Sequence, residues 1–95
     1  MNFTTIKFLS SGSLIKRKGH DIVIEAFNLL NKEQSKKVEL TILGDGPELR
    51  NLKKIINPHI NVNFIGFVQP NEISKYYLDA HVFILASRYD GWGVV

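Results

Sequence analysis

Val38-Glu39-Leu40-Thr41-Ile42-Leu43, followed by Gly44-Asp45-Gly46-Pro47, is the stretch on which the fold turns. The first six residues combine β-branched and large apolar side chains and predict a strand. The Gly-Asp-Gly turn ends it. Pro47 is placed to open a helix, because the N–H at a first helical position has no intrahelical partner to lose. Leu49, Leu52, Ile55 and Ile56 give that helix an apolar face, and Pro58 lies just past its end. Strand, glycine turn and amphipathic helix form a unit that must bury itself against further copies of the same pattern.

Those copies are present on both sides. Ile6-Lys7-Phe8-Leu9-Ser10 reads as a first strand closed by Ser11-Gly12-Ser13. After Gly19, the residues Ile22, Val23, Ala26, Phe27 and Leu30 recur at helical spacing, with Asp21 in the first turn where the helix dipole favours a negative charge. Downstream, Val62-Asn63-Phe64-Ile65 is a third strand followed by Gly66. A third helix, opening near Pro70-Asn71-Glu72, is expected to bury Ile73, Tyr76, Tyr77 and Ala80. Val82-Phe83-Ile84-Leu85 is a fourth strand without polar alternation, as expected of a strand covered on both faces. The glycine-rich loop Tyr89-Asp90-Gly91-Trp92-Gly93 follows it.

Four strands alternating with three crossover helices predict an α/β protein with a doubly wound, Rossmann-like parallel sheet. In such sheets ligands bind outside the carboxyl ends of the strands, where the strand order reverses. If the first and fourth strands are neighbours, the two most unusual loops, residues 12–19 and 87–93, meet at that point. A fourth strand at the margin would leave an apolar edge bare. Two expectations follow from that edge: the natural unit extends beyond Val95, and the strand offers a route to dimerisation or swapping.

Composition narrows the function classes. Ninety-five residues allow a single core, and the 44% hydrophobic and 22% charged content is that of a globular protein rather than a disordered one. No cysteine is present, which removes disulfides, thiolate nucleophiles and cysteine-ligated metals. His20, His59 and His81 share no metal-ligand spacing, so no metal is expected. The apolar runs are too short to span a bilayer, and the N-terminus lacks the basic-then-apolar layout of a secretory leader, so a cytoplasmic location is expected. The net charge of +3 is mild, and its one dense cluster is Lys16-Arg17-Lys18, framed by glycines. Basic side chains on a backbone that permits close approach suit a phosphate, with Lys18 and Arg17 as the candidates. Nucleic acid is not expected, because no interleaved aromatics or reading motif accompany the cluster.

Three segments together resemble the C-terminal, donor-binding domain of the family 4, or group 1, glycosyltransferases. They are residues 12–21 with Ala26-Phe27, residues 40–48 with Leu52, and residues 62–68 running on to Ser87-Arg88-Tyr89-Asp90-Gly91-Trp92-Gly93-Val94-Val95. The resemblance implies a two-domain GT-B enzyme that transfers sugar from a UDP-, GDP- or ADP-sugar with retention of configuration and without a bound metal or other cofactor. Lys18 looks like the lysine that contacts the donor diphosphate, and Gly12 is similar to the glycine that lets the first loop approach it. Phe67 and Val68 fall in the segment against the nucleotide base. Asp90 occupies the first acidic position of the family's Glu-x7-Glu motif, which holds donor-sugar hydroxyls, and is the residue assigned a catalytic role. Gly91, Trp92 and Gly93 match the loop whose amides face the sugar and phosphate.

The chain departs from the family pattern in places. Ser13 stands where many relatives carry an arginine, which throws the phosphate load onto Lys18. His81 replaces a common aspartate and Ala86 a common proline. The second acidic residue of the motif would lie beyond Val95, and the acceptor domain would precede the chain. The expectation is therefore part of a donor domain, covering residues 1–95 and inactive alone, whose intact enzyme leaves room for peripheral membrane association. The alternatives are a stand-alone nucleotide- or phosphate-binding module and a remnant without function. Simpler roles stand beside the functional ones: a solvated loop for residues 16–18, a capped turn for residues 44–47, a turn residue at Asp90 and a buried Trp92.

Overall fold

The computed structural model describes residues 5–88. Its strands are β1 (Ile6–Ser11), β2 (Val38–Leu43), β3 (Val62–Gly66) and β4 (Val82–Phe83), and its helices are α1 (His20–Asn28), α2 (Lys32–Ser35), α3 (Leu49–Lys54) and α4 (Pro70–Asp79). All strand pairings are parallel, and the order across the sheet is β3-β2-β1-β4. The first and fourth strands are therefore neighbours, paired at Phe8 with Val82 and Leu9 with Phe83. Right-handed crossovers put α1 and α3 on one face and α4, which carries the chain back across the sheet, on the other. The doubly wound Rossmann-like arrangement is as expected.

The core lies on the α1–α3 face. Leu14, Ile24, Leu40 and Ile42 are fully buried there with Val23, Phe27, Leu52 and Ile60. Alternation along β1 sends Phe8 to this side, where its ring meets Phe27 edge-on at 5.2 Å. The buried stripe of α1 is His20, Val23, Ile24 and Phe27, spaced three, four and seven apart. Ile22, expected on that stripe, is 45% exposed because it falls a full residue's rotation to one side, and Ala26 is exposed too.

The α4 face is much thinner. No residue of α4 is buried, although Ile73, Tyr76, Tyr77 and Ala80 were expected to be. Tyr77 is 48% exposed and reaches Phe83 only edge-on, at 5.3 Å. The fourth strand is also shorter than the expected residues 82–85. Ile84 still donates its N–H to Leu9, at 2.8 Å, but Leu85 has left the sheet and is 68% exposed. Among the described residues nothing pairs with the outer edge of β4, so Val82 and Phe83 are not covered on both faces. The opposite end of β4 is tied down by His81. Its Nδ1 accepts the Lys7 N–H at 2.9 Å, while its own N–H goes to the Lys7 carbonyl. A bare ring nitrogen thus provides the acceptor that a carboxylate would offer at this position.

Two local features depart from the expected elements. α2 was not anticipated. Asn31 and Gln34 form its capping box, a spacing legible in the sequence. The helix opened by Pro47 begins instead at Leu49, since Pro47 and Glu48 complete the turn that joins it to β2. No helix among the described residues is long and apolar enough to cross a membrane.

Candidate functional site

The carboxyl ends of the strands are stitched into one surface by main-chain bonds between their loops. Gly12 donates to Leu43, Leu14 donates to Asp45, Glu48 donates back to Leu14, and Gly44 donates to Gly66 at 2.7 Å. Gly44, at φ +132°, lies so close to the first loop that a Cβ would fall 2.1 Å from the Gly12 carbonyl oxygen. Only glycine combines that φ with that approach. The Gly-Asp-Gly turn brings the second loop against the first, and α3 after it starts without the side-chain cap that the simpler reading expected.

A hollow of about 310 Å³ opens between these loops, lined by residues 11–13, residues 43–45, Phe67, Val68 and Ile73. Three of the sequence-predicted residues, Gly12, Phe67 and Val68, thus share one wall-to-wall space. Phe67 is 70% exposed, an apolar ring at the rim with no covering neighbour among the described residues. Lys18 does not line the hollow, but its stem lies beside Gly12, which does: the position of a Cβ on Gly12 is 3.7 Å from Lys18 Cδ and 3.9 Å from His20 Nε2. Arg17 is exposed, and its backbone carbonyl accepts bonds from the segment after β4. Asp90, Gly91, Trp92 and Gly93 lie outside the described residues. A second hollow, about 270 Å³, runs along Leu9, Tyr77, Ala80, His81, Val82 and Phe83. Its lining carries no lysine or arginine.

Sequence reasoning missed two side chains that organise this surface. The first is Arg88. Its N–H donates to the Arg17 carbonyl at 2.7 Å, and its guanidinium reaches the Lys16 carbonyl and both carboxylate oxygens of Asp21, at 2.9 and 2.7 Å. Ser87 Oγ adds a bond to the same Arg17 carbonyl. This segment thereby fastens the short 3₁₀ turn Lys16–Lys18, so that Ser87 and Arg88, the described start of the second loop, meet the first. No signal in the chain could have paired residues separated by 67 positions before the β1–β4 neighbourhood was known.

The hydrogen bonds from Arg88 hold the Asp21 carboxyl below its ordinary 3.8, against the opposing effect of burial. A depressed carboxyl stabilises the fold above its unfolded value and loses that contribution as pH falls through the folded one. Both partners are more than a third solvent-accessible or close to it, so screening keeps the effect small. A double-mutant cycle with Asp21→Asn and Arg88→Met is expected to give a coupling of about 0.5–1 kcal/mol at pH 7 by urea unfolding. The coupling should fade once the carboxyl protonates; one that is unchanged at pH 2 would contradict the ion pair.

The second is His20, the first residue of α1 and only 2% exposed. Its Nδ1 lies 3.3 Å from Ser10 Oγ and its Nε2 lies 3.2 Å from the Ser13 carbonyl oxygen. Ser13, whose replacement of an arginine stood out in the sequence, therefore joins the site through its backbone. Among the described residues no group of three His, Cys, Asp or Glu is placed to hold a metal ion.

Two curated relatives are similar over most of this chain. Mannosylfructose-phosphate synthase of Agrobacterium fabrum is 29% identical over 96 residues, covering 90% of this chain and 21% of its own. Alpha-monoglucosyldiacylglycerol synthase of Streptococcus pneumoniae is 35% identical over 89 residues, covering 90% of this chain and 20% of its own. The chain thus spans about a fifth of the length of these relatives. Among solved structures, the catalytic domain of the Helicobacter pylori cholesterol-alpha-glucosyltransferase superposes with a TM-score of 0.76 at 24% identity, over 88% of this chain and 52% of that one. WaaG, a glycosyltransferase of lipopolysaccharide biosynthesis, gives 0.74 at 23% identity, over 90% and 23%. At these identities the superpositions establish the fold alone, a Rossmann-like portion of the GT-B fold. Residues 2–95 match the family of glycosyl transferases group 1, and with nearly every residue inside that match the chain belongs to the group 1 glycosyltransferases.

Proposed function

We propose that residues 1–95 supply part of the C-terminal donor-binding domain of a retaining, family 4 glycosyltransferase, and that this portion alone does not transfer sugar. The observation that carries the reading is the hollow at the switch point, where Gly12, Phe67 and Val68 line one space and the Lys18 stem runs beside Gly12. A nucleoside diphosphate fits that division of labour. The apolar rim at Phe67 and Val68 takes the base, while the first loop and Lys18 take the diphosphate.

The chemistry asked of these residues is electrostatic. As the glycosidic bond to the leaving diphosphate breaks, its bridging oxygen gains negative charge. A positioned ammonium and the amides at the start of α1 stabilise that charge without a metal. Asp90 would orient donor-sugar hydroxyls from the opposite side, a positioning effect rather than a proton transfer. Gly91, Trp92 and Gly93 would add backbone donors, and Arg17 a second, more distant cation. One relative is named for a glucosylated diacylglycerol, and a membrane-bound acceptor met by the rest of the enzyme is the extension of this proposal. The edge of β4, unpaired among the described residues, is the surface through which the rest of the protein, or a second copy, would cover Val82 and Phe83.

An amide-resolved NMR titration with UDP, GDP and ADP tests the reading and names the nucleotide. Saturable shifts confined to residues 12–18 and 67–68 are expected for one of the three. Lys18→Ala removes a charge-assisted contact and should weaken that affinity by about ten- to a hundredfold. A well-dispersed spectrum that none of the three disturbs would remove the donor site from this chain.

A further inference from the structure

Both ring nitrogens of His20 are committed. The Ser13 carbonyl can only accept, so Nε2 carries the proton and donates to it across 3.2 Å. Nδ1 is then bare and accepts the Ser10 hydroxyl proton across 3.3 Å. Ser10 ends the buried part of β1, Ser13 sits in the loop, and His20 itself starts α1, so one ring ties together the strand, the loop and the helix that frame the hollow. The ring also stands directly behind Gly12, with Nε2 3.9 Å from where a Cβ would be, beside the Lys18 stem. A purely structural core residue at this place would be apolar, like Val23 and Ile24 one turn on. A buried ring with two directional bonds specifies a conformation rather than merely filling space.

We propose that His20 is a positioning residue for the phosphate loop: its neutral ring, held between the Ser10 hydroxyl and the Ser13 carbonyl, fixes residues 12–13 so that an anion seated on the loop lies within reach of Lys18. This deepens the donor-site reading and rests on it. The charged groups around the ring agree with a neutral state. Burial lowers its affinity for a second proton and Lys18 adds to that, while the Ser13 and Gly12 backbone and Asp21 oppose it; the balance falls below the ordinary 6.5. Turning the ring into a cation would place charge in a site that is almost closed to water and would oblige the Ser10 hydroxyl to reverse.

The test separates shape from function with two variants and two probes. His20→Gln keeps a side-chain N–H that can reach the Ser13 carbonyl, and His20→Leu keeps the bulk without it. The imidazole nitrogen spectrum of the wild-type chain at pH 7 should show one neutral tautomer with the proton on Nε2. Inorganic pyrophosphate should bind His20→Leu about tenfold more weakly than wild type and His20→Gln within about threefold of it. Uridine, which offers no phosphate, should bind all three alike. A proton on Nδ1, or equal pyrophosphate affinity in wild type and His20→Leu, overturns the proposal. Wild type that takes no pyrophosphate removes the donor-site reading instead. In that case the ring tautomer and the amide shifts of residues 12–15 in the two variants still decide whether His20 sets this loop, and unchanged shifts in His20→Leu refute it. Should His20→Leu fail to fold, His20→Gln with a ring-spectrum assignment of the wild type carries the same decision.

Discussion

Gly19→Ala is expected to cost the chain at least about 3 kcal/mol of unfolding free energy and to separate the two loops that form the site. Gly19 lies between the 3₁₀ turn and α1 with φ at +71°, a left-handed conformation that costs a residue with a Cβ about 1–2 kcal/mol. The steric term is larger. A Cβ there would fall 1.5 Å from the Ala86 carbonyl oxygen, and a backbone oxygen cannot swing aside as the end of a side chain can. The segment after β4 must lift, which breaks the bonds from Ser87 and Arg88 to the Lys16 and Arg17 carbonyls. Urea unfolding monitored by circular dichroism measures the loss. A value under about 1 kcal/mol would mean that the two loops do not touch as described.

Leu14→Ala should lower stability by about 2–5 kcal/mol through the cavity it leaves. Leu14 is a loop residue that is fully buried, its side chain lying in the core formed by Ile24, Leu40, Ile42 and Leu52. Its backbone meanwhile donates to Asp45 and accepts from Glu48. The first loop is therefore pegged from beneath, and the substitution should blur the amide signals of residues 12–15 as well as shift the unfolding midpoint. Leu29→Ala, on a side chain 86% exposed, is the matched control and should lie within about 0.5 kcal/mol of wild type.

The layout of the fold was legible because its evidence is local. Strand periodicity and glycine turns placed β1, β2 and β3, while the adjacency of β1 and β4 entered only as the condition under which the two odd loops would meet. The failures share a cause. Ile22 was assigned to the buried stripe because spacing alone cannot choose between neighbouring rows of a helix, a choice made by the sheet beneath it. Tyr76 and Tyr77 were expected inside because apolar spacing announces a face without saying what will lie against it. The site divides the same way. Gly12, Lys18, Phe67 and Val68 could be named from their segments, and the structure gathers the first loop with residues 67–68. Arg88 and His20 act through partners that only the tertiary arrangement supplies, Asp21 across 67 positions and Ser10 across 10. Asp90 and Gly91 to Gly93 remain as the sequence presented them, beyond the described residues.

The unequal burial on the two faces of the sheet has a consequence for motion. Cooperative units of a protein open in order of the packing that holds them, and the least packed unit opens first. Here α4 and β4 make up the weakly held unit, with no buried residue in either element, while the other face keeps the main buried cluster, outside which only Leu9 and Leu43 are buried apolar residues among those described. The segment bearing Ser87 and Arg88 follows that weak unit, but Ile84 and Ala86 ahead of it pack against the strong cluster, and it closes over residues 16–18. Opening of α4–β4 that also frees Ile84 and Ala86 would unlatch residues 16–18 without global unfolding. Any ligand that bridges the two units stabilises the closed form by mass action, so that occupancy and local rigidity rise together.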